Sequence, residues 1–358
     1  MVDRPRVAVL GAGGFIGYRF TEWLLLRKLA HVRPIVRSFR GLARLARFNL
    51  DSRIADVTDS PGLERQLEGC DTLVHCVVGD RRTILEGLES TYRAAERAGV
   101  RRLVYLSSSV VHGHRLHAGI HEAEPLEMKQ PFEYNVSKVL AELKLAEMQG
   151  GRMETVILRP CIVHGPRSVY WTAGIATDLL EGRAWLYDGG QGVCNTVHID
   201  NLVSAIWLAA TRTEAAGQAF FVTDGERITW KEFYSSVASA IGIDPAMIPN
   251  LSPREVRRKK NAAFAAQQWA ALLPRLKKAG PLGRMIRGRL LMGSRLDRRL
   301  ATPIDMPDSE IISLQQCRHI LPQAKAEALL GYRPILTFAE GAARTAAWLK
   351  FVSIGTLD

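Results

Sequence analysis

An α/β fold built on a doubly wound parallel sheet is predicted by two features of this chain. Short, wholly apolar runs alternate with amphipathic stretches through the first two hundred residues. A cluster of glycines (Gly11, Gly13, Gly14, Gly17) separates the first run from the first amphipathic stretch. Parallel strands are buried on both faces and read as unbroken apolar runs, while the crossover helices supply the amphipathic pieces. At 358 residues, 47% of them hydrophobic, the chain can build one large core or two.

Taken in order, runs at 7–10, 32–36, 73–78, 103–106 and 155–158 read as strands, and 15–29, 83–98 and 134–148 as helices. From about 168 the pattern changes. A strand at 193–199 is followed by a helix at 200–211, a strand at 218–223 and a helix at 229–241, and the chain closes with helical patterns at 322–330 and 338–350. No flexible linker intervenes. The expected organisation is a Rossmann-type dinucleotide-binding domain over 1–167. A smaller mixed α/β substrate-binding region over 168–358 packs directly on it, returns some elements to it, and carries a basic helical insert at about 250–310.

The charge is local. The net charge is +12, and residues 254–299 hold fourteen of the 48 Lys and Arg but only two of the 36 acids, leaving 34 of each sign elsewhere. The basic segment, interleaved with Phe264, Trp269, Leu272 and Leu273, reads first as a solvated helical surface. Peripheral contact with an anionic membrane comes second and an anionic-substrate site third. No recognition motif accompanies the charge, so nucleic acid is not expected as a partner. Five scattered cysteines without a CxxC pair predict a reducing, cytoplasmic setting and neither a disulfide framework nor a zinc site. The loose set His112, His114, His117 and His121 lacks a defined ligand geometry, and no metal is expected. No signal-peptide pattern opens the chain, and no apolar run approaches the roughly 18 residues that span a bilayer.

Gly11-Ala12-Gly13-Gly14-Phe15-Ile16-Gly17 lies between a strand and a helix. There, backbone N–H groups can approach a pyrophosphate at the positive end of the helix, which predicts dinucleotide binding. An acid is expected about 20 residues past the last glycine to grip a ribose hydroxyl. Arg37 stands there instead and suits a 2′-phosphate, so NADP is favoured over NAD. Tyr134 and Lys138, four apart, share one helix face. Bringing a tyrosine of pKa about 10 to neutrality takes roughly 4 kcal/mol. One cation about 4 Å away supplies roughly that at an effective dielectric of about 20. The spacing predicts a phenol made acidic by its lysine.

Together with these motifs, Asp56-Val57-Thr58-Asp59, Asp71 to Val78, Leu106-Ser107-Ser108-Ser109-Val110-Val111-His112-Gly113, Leu158 to Arg167, Val197-His198-Ile199-Asp200-Asn201 and Leu330 to Pro334 resemble the extended short-chain dehydrogenase/reductase family, the NAD-dependent epimerase/dehydratase group. The resemblance covers nearly the whole chain except about 250–310. It implies Tyr134 as general acid/base, Lys138 as the group that lowers its pKa and binds the nicotinamide ribose, and Ser108 as the serine on the reacting oxygen, with Ser107 and Ser109 as rivals. It implies a cofactor surface of Gly11, Gly14, Phe15, Ile16, Gly17, Arg37, Asp56, Val57, Cys76, Val77, Val78, Ser107, Lys138, Pro160 and Val163. On the substrate side it implies Ser109, His112 and His164. It also implies a homodimer through the helices at 83–98 and 134–148.

Departures bear on the substrate. His112 replaces the usual tyrosine, Ser90 a common asparagine, and Cys194 an arginine that holds a substrate diphosphate in sugar-nucleotide epimerases. The asparagine in His198-Ile199-Asp200-Asn201 looks more like the 3β-hydroxysteroid dehydrogenase branch. The resulting expectation is an NAD(P)-dependent enzyme acting on a hydroxyl or keto carbon, first a sugar-nucleotide epimerase or reductase. The alternatives are a hydroxysteroid-type dehydrogenase or ketone reductase and, outside enzymes, a cofactor-binding regulatory protein.

Overall fold

The computed structural model describes residues 4–259, 261 and 309–353. Seven strands form one sheet: β1 (Arg6–Leu10), β2 (His31–Val36), β3 (Arg53–Ile54), β4 (Thr72–His75), β5 (Arg102–Leu106), β6 (Glu154–Pro160) and β10 (Ala219–Val222). Their spatial order is β10-β6-β5-β4-β1-β2-β3, and every pairing is parallel. The chain order reverses between β1 and β4, and that crevice is where open α/β sheets bind ligands. The sequence missed β3, whose two residues are exposed and show no apolar run. It also carried the fourth strand to 78, whereas β4 ends at His75 and Cys76–Val78 form the loop beyond it.

Helices cover both faces. On one, α1 (Phe15–Leu26) and α7 (Ile199–Thr211) enclose Phe20, Leu24, Val104, Val156, Leu202 and Phe220. On the other, α3 (Ser60–Leu67), α4 (Arg81–Arg97) and α5 (Glu133–Met148) enclose Leu63, Leu73, Leu88, Tyr92, Leu103 and Leu145. Side-chain caps fix two of these starts, with Asp59 accepting from the Gly62 amide at 3.1 Å and Asp80 from the Thr83 amide at 2.8 Å.

A third cluster around Trp230, Phe233, Tyr234 and Leu349 joins α6 (Ile175–Leu180), α8 (Trp230–Ala240) and α11 (Phe338–Ser353). The small strands β7 (Ile162–His164), β8 (Leu186–Tyr187), β9 (Thr196–His198) and β11 (Asn250–Leu251), with helices α9 (Ser309–Gln315) and α10 (Ala324–Leu330), complete the described chain. Of the basic stretch 254–299, all but 254–259 and 261 lies outside the described residues.

Buried polar groups fasten the C-terminal elements to the sheet. Asn201 Nδ2 donates to Asp224 Oδ1 (2.7 Å) and the Leu336 carbonyl (2.8 Å), and its Oδ1 accepts from the amides of Ile335 (2.8 Å) and Leu336 (2.9 Å). Asp224 also accepts from Thr196 Oγ1 and the His198 amide. The His198-Ile199-Asp200-Asn201 segment is therefore read physically as a fastening, every group of Asn201 being satisfied.

Candidate active site

The glycine loop is shaped by contact. Gly11 has φ +83°, and a Cβ on it would lie 3.0 Å from the Cys76 carbonyl; a Cβ on Gly17 would lie 2.4 Å from the Gly11 oxygen. Glycine is required so that α1 and the β4 loop can close on the turn. The amides of Gly11 and Ala12 donate to the Ile35 carbonyl at 3.0 and 3.2 Å, fixing the turn against β2. Helix α1 starts at Gly14 with neither a side-chain cap nor an acid in its first turn. Its first amides and its positive end thus face the crevice, the donor set a pyrophosphate fits. Phe15 and Ile16 anchor the helix in the core behind it.

Around this loop the predicted cofactor residues divide. Arg37 is exposed at the end of β2, and Asp56 is exposed after β3, held by the amide and hydroxyl of Thr58 at 2.9 and 2.7 Å. The Val57 side chain instead packs in the core, so only its backbone faces the crevice. Cys76 and Val77 are half-buried beside Gly11, and Val78 is exposed. Burial pushes the Cys76 thiol up to about 12, so it stays protonated. Pro160 and Val163 are buried at the ends of β6 and in β7.

Ser108 caps the 3-10 turn Ser109–His112 that follows β5, and its side chain comes close enough to the Tyr134 phenol to draw the phenol's pKa down. Of the three serines it is the one brought to the tyrosine. Ser107 is buried with no hydrogen-bond partner for its hydroxyl among the described residues, and Ser109 lies half-buried in the turn. Tyr134 and Lys138 do share a face of α5, with Nζ 5.9 Å from the Tyr134 ring centroid. The ammonium donates elsewhere, to the Leu106 carbonyl at 2.8 Å and the Tyr105 hydroxyl at 3.3 Å.

The expected acidification of Tyr134 is absent in the protein alone. Tyr134 keeps 40% of its surface exposed, yet the protein packed around the remainder pushes its pKa up to about 12, with nearby Ser108 acting in the other direction. Burial meanwhile lowers Lys138 to about 8, against the pull of Glu142. A lysine anchored on β5 and partly stripped of its charge preference cannot supply the full Coulomb term assumed from spacing alone. Beneath it, His75 is wholly buried against Tyr105 and driven down to about 3.

On the substrate side, His112 is half-buried and accepts from Arg159 at 2.9 Å. His164 is 2% exposed, 3.5 Å from Asp224 and packed against His198, Phe233 and Phe338. It lines a small interior cavity with Trp171, Thr172 and Phe233. The histidines disperse: His114 meets Asn135 and Glu310, while His117 and His121 meet Glu124 at the surface. Among the described residues no group of three or more His, Cys, Asp or Glu is placed to hold a metal ion. Cys194 is completely buried in the third core cluster.

Several residues of the site were not singled out from sequence. Asn135, wholly buried, donates to Gln130 Oε1 (2.9 Å) and His114 Nε2 (3.1 Å). Glu142 and Arg159 form a buried bidentate pair. The periodicity Tyr134, Lys138, Glu142 was available as a signal; the partner of Glu142 was not.

Residues 8–252 match the model of the 3-beta hydroxysteroid dehydrogenase/isomerase family. The chain is 26% identical over 280 residues (75% of this chain, 82% of the relative) to the 4-hydroxy-2-methyl-3-oxo-4-farnesyl-3,4-dihydroquinoline-1-oxide ketoreductase of Stigmatella aurantiaca. It is 28% identical over 357 residues (93% and 87%) to a 3 beta-hydroxysteroid dehydrogenase/Delta 5→4-isomerase of Mycobacterium tuberculosis. Among solved structures, DesIV from Streptomyces venezuelae, a dTDP-glucose 4,6-dehydratase with NAD and TYD bound, superimposes with a TM-score of 0.69 over 98% of each chain at 22% identity, a likeness of fold.

Proposed function

This chain belongs to the 3-beta hydroxysteroid dehydrogenase/isomerase family, a branch of the extended short-chain dehydrogenase/reductases, and is a nicotinamide-dependent enzyme. From that premise we propose that it interconverts a secondary alcohol and a ketone on an apolar substrate, with Tyr134, Ser108 and Lys138 as its catalytic residues. The approach of Ser108, at the end of β5, to Tyr134 on α5, together with the uncapped start of α1 behind the glycine turn, is the observation that carries this reading.

The glycine turn fits a dinucleotide: Gly11 and Gly17 let the turn close tightly, so that the first amides of α1 stay open to a pyrophosphate, and Arg37 at the end of β2 suits a 2′-phosphate, which favours NADP. When bound, the nicotinamide supplies or accepts the hydride. Tyr134 holds the proton that the substrate oxygen gains on reduction and takes it back on oxidation. Ser108 hydrogen-bonds that oxygen and the phenol together, setting their distance. Lys138, fixed on the Leu106 carbonyl, adds positive charge behind the phenol and favours its ionised form.

The choice of an apolar substrate rests on the family match and on Cys194. A buried thiol in the hydrophobic core offers nothing to a sugar-nucleotide diphosphate. This reading favours the hydroxysteroid or ketone-reductase alternative over a sugar nucleotide. The test is turnover by the purified protein with NADPH or NADH against 3-oxosteroids, long-chain β-keto acids and UDP- or dTDP-sugars. Turnover confined to the sugars overturns the substrate class. Tight cofactor binding with no turnover of the panel favours a regulatory protein.

The sequence resemblance also proposes a homodimer through α4 and α5; a monomeric mass by light scattering at micromolar concentration refutes it. Peripheral membrane contact stays attached to 254–299. No helix among the described residues is long and apolar enough to cross a membrane.

A further inference from the structure

Two ties run between α5, which carries Tyr134, and the turn that carries Ser108. At the start of the helix, Gln130 accepts from Asn135 at 2.9 Å and donates to the Val110 carbonyl at 2.8 Å. Two turns beyond Tyr134 lies a longer and more deeply buried tie. Glu142 continues the Tyr134–Lys138 face and receives Arg159 through Nε (3.0 and 3.2 Å) and a second guanidinium nitrogen (2.6 Å). The remaining guanidinium nitrogen donates to His112 Nε2 at 2.9 Å and to the Glu122 carbonyl at 2.7 Å. The path returns through Glu122, whose carboxylate accepts from the Phe221 amide at 3.0 Å, and through the Phe221 ring, edge-on to His112 at 5.3 Å.

Arginine only donates, so His112 Nε2 must be an acceptor and the ring proton must sit on Nδ1. A fully used guanidinium between a helix and a turn leaves little freedom for either. We propose that Arg159, clamped between Glu142 and His112, is a positioning element for the Ser108–Tyr134 pair, and that His112 serves as its acceptor, not as a substrate contact. The burial that holds His112 near 4 keeps the acceptor nitrogen free of a proton throughout the neutral range. His112 thereby gains a physical role at a position where the resemblance implies tyrosine: the site needs an acceptor for Arg159 there, which imidazole supplies. The inference rests on the catalytic reading of Tyr134 and Ser108.

Replacing Arg159 or Glu142 strands a buried charge and risks unfolding, so the test uses His112. His112→Leu removes the acceptor, whereas His112→Gln keeps an oxygen within reach of Arg159. Crystal structures of both are expected to show Ser108 and Tyr134 moved apart in the leucine variant and held as in the parent in the glutamine variant. An unchanged Ser108–Tyr134 placement in both overturns the inference, whatever becomes of the catalytic reading. With a 3β-hydroxysteroid and NADP or NAD as probe pair, kcat of His112→Leu should fall on the order of tenfold to a hundredfold, the size expected of a misplaced catalytic group. KM and cofactor affinity should hold, and glutamine should restore the rate. A raised KM at unchanged kcat makes His112 a substrate contact and overturns the proposal. Full activity of Tyr134→Phe instead removes the catalytic reading, and the crystallographic comparison still decides the network.

Discussion

Lys138 Nζ donates to the carbonyl of Leu106, the last residue of β5, at 2.8 Å. The ammonium on the tyrosine helix is therefore anchored to the central sheet, and α5 is locked in register with the strand whose end carries Ser107 and Ser108. A lysine held this way acts on Tyr134 from a fixed position, across 5.9 Å to its ring.

Removal of the phenol is the direct test. Tyr134→Phe should lower kcat by roughly 10²–10⁴-fold, the range for loss of a general acid. Cofactor affinity, read by fluorescence titration, should change little. Ser108→Ala should act in the same direction and more weakly. Unchanged turnover in Tyr134→Phe would sink the assignment.

Lys138 makes a pH-dependent cost in the cofactor-free protein. Its folded pKa, about 8, lies below the ordinary lysine value of 10.5. Between these values the unfolded chain binds more protons, so stability rises with pH across this window; below about 8 the full cost remains. A depression of this size corresponds to about 3 kcal/mol. Lys138→Met should therefore unfold at higher temperature than the parent at pH 7, and its advantage should shrink as pH climbs from 8 to 10.5. Calorimetry across that range checks both signs.

Arg37 is the residue proposed to favour NADP. Arg37→Ala should weaken NADPH binding by roughly tenfold to a hundredfold, about 1.4–2.8 kcal/mol, and leave NADH nearly unaffected. Equal losses for both cofactors would remove the 2′-phosphate argument.

Gly17 is fixed by packing. A Cβ there would sit 2.4 Å from the Gly11 oxygen. Gly17→Ala should cost about 1–3 kcal/mol in stability, the usual range for overpacking, and weaken both cofactors together. Chemical denaturation and cofactor titration report the two effects separately.

Asn201 should behave as a structural residue. Asn201→Ala deletes four hydrogen bonds, three of them buried, and leaves Asp224 and the Ile335–Leu336 backbone short of partners. A loss of about 2–4 kcal/mol is expected from such orphaned groups, with kcat per folded molecule retained. A selective loss of kcat in a stable variant would contradict this reading.

The sequence by itself determined the parallel α/β sheet, since strands such as Val7–Leu10 and Leu103–Leu106 are buried on both faces and must be apolar throughout. It also determined the glycine turn before α1, because only glycine fits at Gly11 and Gly17, and the Tyr134–Lys138 face, because helical spacing is local. β3 stayed illegible: two exposed residues leave no pattern. Tertiary structure alone decided which serine meets Tyr134, that His164 turns inward to Asp224, that Lys138 spends its ammonium on Leu106, and that Arg159 joins Glu142 to His112. These pairings span 17 to 60 residues of chain. Charge and burial between such distant residues depend on how the elements pack, and spacing along the chain carries no record of it.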